Sequence, residues 1–95
     1  MSYAGAHINV RGVVQGVGFR YWCLHKAREY GVNGWVANIP DGTVELEVAA
    51  DRSLIEEFVK VLKVGPSQAH VSDIDIRWLD PPGQYDGFTI KHKGW

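Results

Sequence analysis

The spacing of apolar residues changes from a strand period to a helix period across two glycines, Gly16 and Gly18. Before them, apolar and polar residues alternate from His7 to Val14, which predicts a half-buried β-strand. After them, apolar residues recur every three or four positions from Tyr21 to Tyr30, which predicts a helix that ends at Gly31. The fold therefore opens with a strand, a glycine turn and a helix.

The faces of these two elements predict the surroundings of several side chains. On the strand, His7 and Arg11 alternate with the apolar residues, so we expect both to point into solvent. On the helix, Cys23 shares the apolar face with Phe19 and Ala27. We therefore expect a buried thiol that packs as a small apolar side chain and does not act as a nucleophile.

A strong turn signal, Pro40-Asp41-Gly42, separates two further strand patterns. The pattern predicts antiparallel strands over Gly34–Ile39 and Thr43–Ala49. On the second strand, Glu45 and Glu47 alternate with apolar residues. We interpret this pair as a solvated, solubilising edge and not as an acid–base pair.

The second half of the chain again combines a helix with strands. The helix can be capped by Asp51 or Ser53 and stops near Gly65-Pro66, and strand patterns follow over Ser72–Trp78 and Gly87–His92. The order is therefore β-α-β-β-α-β with a short extra strand. It predicts an α+β fold, the ferredoxin-like split β-α-β sandwich, with a four- to five-stranded antiparallel sheet and two helices on one face.

The glycine turn has the features of an anion-binding site. The first N–H groups of a helix lack internal partners and lie at its positive end. Gly16 and Gly18 have no Cβ to keep a ligand away. Arg20 adds a planar, charged guanidinium that can hydrogen-bond two oxygens of one anion. The alternative is a tight turn, formed for packing reasons, beside a solvated arginine.

Asn38 is a polar residue near the end of an otherwise apolar strand. It is either a turn-prone asparagine that bonds the following loop or a neutral amide that can hold a water molecule. In the predicted topology, the strand that carries Asn38 lies within reach of the glycine turn. Arg20 and Asn38 can therefore open onto one pocket.

Two stretches, Gly12–Arg20 (GVVQGVGFR) and Gly34–Glu45 (GWVANIPDGTVE), resemble the acylphosphatase family in sequence, order and separation. The resemblance implies hydrolysis of the carboxyl–phosphate bond of an acyl phosphate to a carboxylate and inorganic phosphate, without a metal or other cofactor. It implies that Asn38 orients the attacking water. It also implies that the guanidinium of Arg20 and the main-chain amides of the turn bind the phosphoryl oxygens. The turn residues concerned are Gln15, Gly16, Val17, Gly18, Phe19 and Arg20.

Two features depart from the usual pattern of this family. Ala49-Ala50 stands where the family usually has a glycine, and the final strand continues into a longer and more basic end, Lys91–Trp95. Neither feature falls within the predicted site.

The charge balance limits the choice of partners. Ten Lys and Arg residues against eleven Asp and Glu residues give a formal net charge of −1, which excludes a broad basic surface for nucleic acid. Residues 15–22 are similar to an RNA-recognition octamer, but Val17 replaces a stacking aromatic residue and Arg20 replaces a valine. The alternatives to an enzyme are therefore an RNA-binding module, which is the weaker one, and a catalytically inactive binding or regulatory domain.

Composition and spacing complete the expectations. One cysteine cannot form an intrachain disulfide, four scattered histidines do not suggest a metal site, and no apolar run is long enough to cross a bilayer. The start of the chain lacks the apolar run of a signal peptide. We expect a single domain over residues 1–95 that works as a cytoplasmic monomer on a small acyl phosphate, without a nucleic-acid or membrane partner.

Overall fold

The computed structural model describes residues 2–92, and this part of the chain contains five strands and two helices. In chain order they are β1 (Tyr3–Val13), α1 (Phe19–Tyr30), β2 (Asn33–Asn38), β3 (Val44–Asp51), α2 (Arg52–Val64), β4 (His70–Leu79) and β5 (Phe88–Ile90). Relative to the predictions, β1 starts earlier, α1 starts two residues earlier and β5 is shorter. Residue 1 and the end of the basic tail, 93–95, lie outside the described residues. Within residues 2–92, neither helix is long and apolar enough to span a membrane.

The five strands form one sheet in the order β4-β1-β3-β2-β5. The pairs β4–β1, β1–β3 and β3–β2 are antiparallel, as predicted. The first strands of the two β-α-β units, β1 and β3, are neighbours in the interior of the sheet. The α+β class and the split β-α-β arrangement are therefore confirmed.

The expectation of a wholly antiparallel sheet is wrong at β5, which pairs in parallel with β2 and makes the sheet mixed. Residues 80–87 connect β4 at one edge to β5 at the other edge. β4 finishes and β2 starts at the same end of the sheet, and β5 begins at that end, so β5 runs in the same direction as β2.

Both helices pack on one face of the sheet and share a single core with it. The buried residues of the helices are Phe19, Cys23 and Ala27 in α1 and Ile55, Phe58, Val59 and Leu62 in α2. Cys23 is fully buried, and burial raises the pKa of its thiol, which confirms the prediction of a core thiol. Because Phe19 is both the first residue of α1 and part of the core, packing determines where the helix begins.

The opposite face of the sheet carries paired polar side chains, which corrects the expectation that His7 and Arg11 are simply solvated. His7 Nε2 lies 2.6 Å from Glu45 Oε2 on the neighbouring strand. Arg11 forms ion pairs with Asp73 and Asp75 of β4, and these carboxylates raise the pKa of the guanidinium. Alternation along one strand predicts which face a side chain occupies but not which charges stand across from it.

Glu45 and Glu47 do not form a solvated edge, because β3 lies inside the sheet with a strand on each side. The hydroxyl of Tyr85 donates to Oε1 of Glu47 at 2.6 Å. Partial burial, together with this carboxylate, raises the pKa of Tyr85. Glu47 therefore attaches the segment that carries Tyr85 to the outer face of the sheet, whereas Glu45 pairs across to His7 of β1.

Gly34 lets β2 approach β3 closely, and it provides a test of the sheet. Its φ is +143°, and a Cβ at this position would lie 1.9 Å from the carbonyl oxygen of Glu47. We expect Gly34→Ala to lower the free energy of unfolding by about 3 kcal/mol or more, because backbone atoms would have to move. Gly87→Ala is the control, since its φ is +80° but its Cβ would meet nothing within 4 Å. That control should lose about 1–2 kcal/mol in chemical denaturation, and equal losses would contradict the prediction.

Candidate active site

The turn between β1 and α1 leaves main-chain N–H groups outside the helical hydrogen-bond ladder. Gly18 is the N-cap of α1 and has a left-handed conformation, with φ 75° and ψ 17°. The N–H of Trp22 donates to the carbonyl oxygen of Gly18 at 3.0 Å, so the amides just before Trp22 have no helical acceptor. Among the described residues, no side chain caps this end and no acidic residue lies in the first turn. The positive end of the helix dipole therefore has no local countercharge.

Gly16 and Gly18 keep the space beside these amides open. Both have a φ of +75°, a conformation that L side chains rarely adopt. A Cβ built on either glycine would meet no other part of the described chain within 4 Å. The backbone angle therefore requires glycine here, and close packing does not. This observation favours the anion-site interpretation over a turn formed for packing reasons.

A cavity of about 210 Å³ opens in front of the turn. Its lining contains both polar side chains that the sequence singled out, and the described residues that line it are Val14, Gly16, Gly18, Phe19, Arg20, Tyr21 and Asn38. Arg20 is half-buried, and no carboxylate of residues 2–92 lies within ion-pair distance of it. Asn38 is also half-buried, with its Oδ1 atom fully covered. The structure thus brings Arg20 and Asn38 to one cavity.

Strand register explains why these two side chains meet. Asn38 pairs with Val44 in the β2–β3 hairpin, and Val44 pairs with Val10 in β1. The three residues form one row across the sheet, three residues before the end of β1. The glycine turn leaves the sheet from this same end, so the last residue of β2 lies beside the first turn of α1.

Gln15 has a role that sequence reasoning missed. Its Nε2 donates to the carbonyl oxygens of Ile39 at 2.8 Å and Thr43 at 2.9 Å, on either side of the hairpin turn. The side chain therefore fastens the hairpin that carries Asn38 to the glycine turn. Neither Gln15 nor Val17 lines the cavity, and Val17 packs against the core. The sequence feature that could have indicated this role is a side-chain amide with two N–H donors in a turn that the predicted topology places near the hairpin.

A second set of contacts holds the hairpin turn from within. Oδ1 of Asp41 accepts hydrogen bonds from the N–H of Thr43 at 3.0 Å and from its hydroxyl at 2.7 Å. These donors lower the pKa of Asp41. Nδ2 of Asn9 donates to Oγ1 of Thr43 at 3.0 Å, which links the turn to β1. Asn38 is therefore carried on a hairpin that two independent contacts attach to β1 and the glycine turn.

Among the described residues that line the cavity there is no aspartate, glutamate or histidine. Among residues 2–92, no three His, Cys, Asp or Glu side chains come close enough to hold a metal ion. The groups that can act on a ligand are therefore main-chain amides, one guanidinium, one carboxamide and a tyrosine. Amides at a helix N-terminus together with an arginine fork are typical of a site for a tetrahedral oxyanion. Fold and cavity together define a small α+β domain of the oxyanion-binding class.

Comparison with known proteins identifies the family. The acylphosphatase family model matches residues 6–90. An acylphosphatase of Roseiflexus sp. is 44% identical over 90 residues, which are 95% of this chain and 97% of the relative. An acylphosphatase of Thermococcus kodakarensis is 40% identical over 95% of this chain and 98% of the relative. The crystal structure of acylphosphatase from Bacillus subtilis matches with a TM-score of 0.90 and 33% identity, covering 93% of this chain and 98% of that one. The chain belongs to the acylphosphatase family, whose activity is the hydrolysis of acyl phosphates.

The contact between Gln15 and the hairpin predicts a change in local dynamics. The N–H of Ile39 donates to the carbonyl oxygen of Thr43 at 2.9 Å, inside the segment that Gln15 fastens. We expect Gln15→Ala to speed hydrogen exchange at the Ile39 amide by roughly fivefold to thirtyfold, because two hydrogen bonds are lost at a net cost of about 0.5–1 kcal/mol each. The control is Gln68→Ala, since Gln68 is exposed and its side chain makes no hydrogen bond within residues 2–92. Unchanged exchange at Ile39 in the Gln15 variant would contradict this account of the hairpin.

Proposed function

We propose that the cavity binds the phosphoryl group of an acyl phosphate and promotes its hydrolysis to a carboxylate and inorganic phosphate. The observation that carries this proposal is that the open amides of the glycine turn, the guanidinium of Arg20 and the carboxamide of Asn38 share one cavity in a member of the acylphosphatase family. In this proposal, residues 15–20 are a phosphate-binding loop. The reaction needs no metal or other cofactor.

Binding and charge stabilisation come from fixed groups. The main-chain amides from Gln15 to Arg20 and the Arg20 guanidinium bind the oxygens of the phosphoryl group. Phosphoryl transfer depends mainly on positioning and on stabilising charge that spreads over these oxygens. Amides fixed by a helix and a core need little reorganisation during the reaction, which is the condition for efficient electrostatic stabilisation. The burial of Phe19 and Val14 beneath the loop supports this rigidity.

Asn38 orients the attacking water. Its carboxamide both donates and accepts hydrogen bonds, so it can hold a water molecule in a defined direction without taking its proton. The water oxygen forms a new bond to phosphorus while the bond between phosphorus and the carboxyl oxygen breaks, and the electron pair leaves with the carboxylate. A phosphate oxygen of the substrate accepts the proton of the water. Because a carboxylate is a good leaving group, no general acid is required in the lining.

We also propose that the protein acts as a cytoplasmic monomer on a small substrate, without a nucleic-acid or membrane partner. Arg20, Asn38 and the glycine turn all belong to one chain, so the proposed mechanism needs no group from a second copy. The formal net charge of −1 argues against electrostatic attraction to nucleic acid or to an anionic membrane. The burial of Cys23 is compatible with a reducing compartment.

Parallel assays of the purified chain test the proposed reaction. We expect steady hydrolysis of benzoyl phosphate and acetyl phosphate, undiminished by excess EDTA, because the proposed groups are all part of the chain. A phosphate monoester with a poor leaving group should be turned over far more slowly, since the lining within residues 2–92 offers no carboxylic acid or imidazolium to protonate it. Loss of acyl phosphate hydrolysis on chelation would refute the metal-free mechanism. Absence of hydrolysis under all conditions would favour a binding or regulatory domain.

Two substitutions should separate phosphoryl binding from attack by water. Arg20→Lys should lower kcat/KM by at least about 100-fold and weaken competitive inhibition by inorganic phosphate, because an ammonium cannot replace the bidentate fork. Asn38→Ala should lower kcat by about 10²–10³-fold, as for one positioned polar group, while phosphate inhibition is largely kept.

Matched controls use the same residue types outside the cavity. Arg28→Lys changes an exposed arginine of α1, and Asn33→Ala changes the asparagine at the other end of β2. Both controls should retain wild-type turnover. Normal activity of Arg20→Lys would remove Arg20 from the mechanism, and loss of phosphate inhibition in Asn38→Ala would make Asn38 a structural residue.

A further inference from the structure

Among the large apolar and aromatic residues within residues 2–92, Tyr21 is the one that both lines the cavity and is substantially exposed. Its exposed fraction is 62%. The other large apolar or aromatic side chains that are substantially exposed lie away from the cavity lining, and they are Tyr3, Val13, Leu54, Val64, Ile76 and Trp78. Within residues 2–92, the Tyr21 side chain makes no hydrogen bond, ion pair or ring contact, whereas neighbouring Trp22 packs against Phe19. Contacts within the fold therefore do not account for an aromatic ring at this position.

The dimensions of the cavity determine what lies beside Tyr21 when a substrate is bound. The floor consists of Val14 and Phe19, which are each 1% exposed, and of the glycine backbone. A volume of about 210 Å³ is below the range of roughly 300–1,000 Å³ that is usual for sites that enclose a whole small-molecule ligand. A phosphoryl group held by the loop amides occupies the inner part. The acyl group of a larger substrate must therefore extend out of the cavity, and Tyr21 is the exposed aromatic residue of the lining.

The chemistry of the rim favours one kind of acyl group. Arg20 is the only cation that lines the cavity within residues 2–92, and the phosphoryl group already engages it in the proposed function. A negatively charged acyl group would find no further countercharge there. A tyrosine ring offers a broad apolar face at a small cost in conformational entropy, and it stacks well on another planar ring.

We propose that Tyr21 forms an acyl-group subsite and that the protein prefers acyl phosphates with an aromatic or broad apolar acyl group over acetyl phosphate. This inference rests on the proposed function, because it assumes that the loop holds the phosphoryl group. The ring of Tyr21 packs against the acyl group in both the bound substrate and the transition state. It therefore contributes to specificity and takes no part in the bond changes.

The ratio of kcat/KM for benzoyl phosphate to kcat/KM for acetyl phosphate measures this subsite directly. Tyr21→Ala should lower that ratio by about fivefold to tenfold, the effect expected for loss of one aromatic contact at a partly exposed position. Tyr21→Phe keeps the ring and should keep the ratio within about twofold of the wild type. Tyr3→Ala is the matched control: Tyr3 is 60% exposed but lies at the far end of β1, and the ratio should be that of the wild type.

Competitive inhibition by inorganic phosphate, which has no acyl group, distinguishes the subsite from damage to the loop. An inhibition constant close to the wild-type value in Tyr21→Ala, together with the lower ratio, supports the proposal. An unchanged ratio in Tyr21→Ala overturns it, as does an equal fall in Tyr21→Phe or a fall that is accompanied by weakened phosphate inhibition. A wild-type protein that hydrolyses neither substrate would refute the proposed function itself, which is a different result from a Tyr21 variant with unchanged selectivity.

Discussion

The antiparallel pairing of β1 with β3 in the sheet interior determines where the parts of the site lie. It sets Val10 opposite Val44, and the β2–β3 hairpin then carries Asn38 into the same row. The chain leaves β1 at this end of the sheet and enters α1, which packs back over the core. The positive end of a helix and a carboxamide from a different strand thus arrive at one place through backbone pairing. No long flexible loop is needed to bring them together.

The glycine turn is supported from behind and open in front. Behind it, Phe19 is anchored in the core, and Gln15 is hydrogen-bonded to the hairpin. In front, two glycines expose their amides, and no side chain within residues 2–92 caps the helix. A side-chain cap would add about 1 kcal/mol to the stability of a helix, but it would occupy the amides that the proposed mechanism uses. The N-terminus of α1 lacks that small stabilisation, and packing elsewhere holds the turn in place.

The sequence predicted the elements of the site better than their connections. The change of hydrophobic period, the glycines and the Pro40-Asp41-Gly42 turn were sufficient to predict the split β-α-β order and to place Arg20 and Asn38 at one pocket. Contacts between distant segments were missed, such as those of Gln15 with the hairpin and of Glu47 with Tyr85. A strand pattern specifies which face a side chain occupies, whereas its partner depends on register and on the path of later segments. The parallel direction of β5 is one such case, because the strand pattern of residues 87–92 does not indicate at which end of the sheet the chain enters it.

The residues that the cavity lacks are as informative as those it contains. A carboxylate leaving group departs as a stable anion, whereas an alkoxide leaving group needs a proton in the transition state. Apart from the weakly acidic hydroxyl of Tyr21, the described lining of amides, a guanidinium and a carboxamide can stabilise charge and position water but contains no carboxylic acid or imidazolium to protonate an alkoxide. In the proposed mechanism, selectivity for acyl phosphates over simple phosphate monoesters thus follows from the absence of such an acid among the described lining residues. Discrimination among acyl phosphates must then come from groups other than those that bind the phosphoryl group, and Tyr21, which lines the cavity and is exposed, is the residue proposed to contact the acyl group.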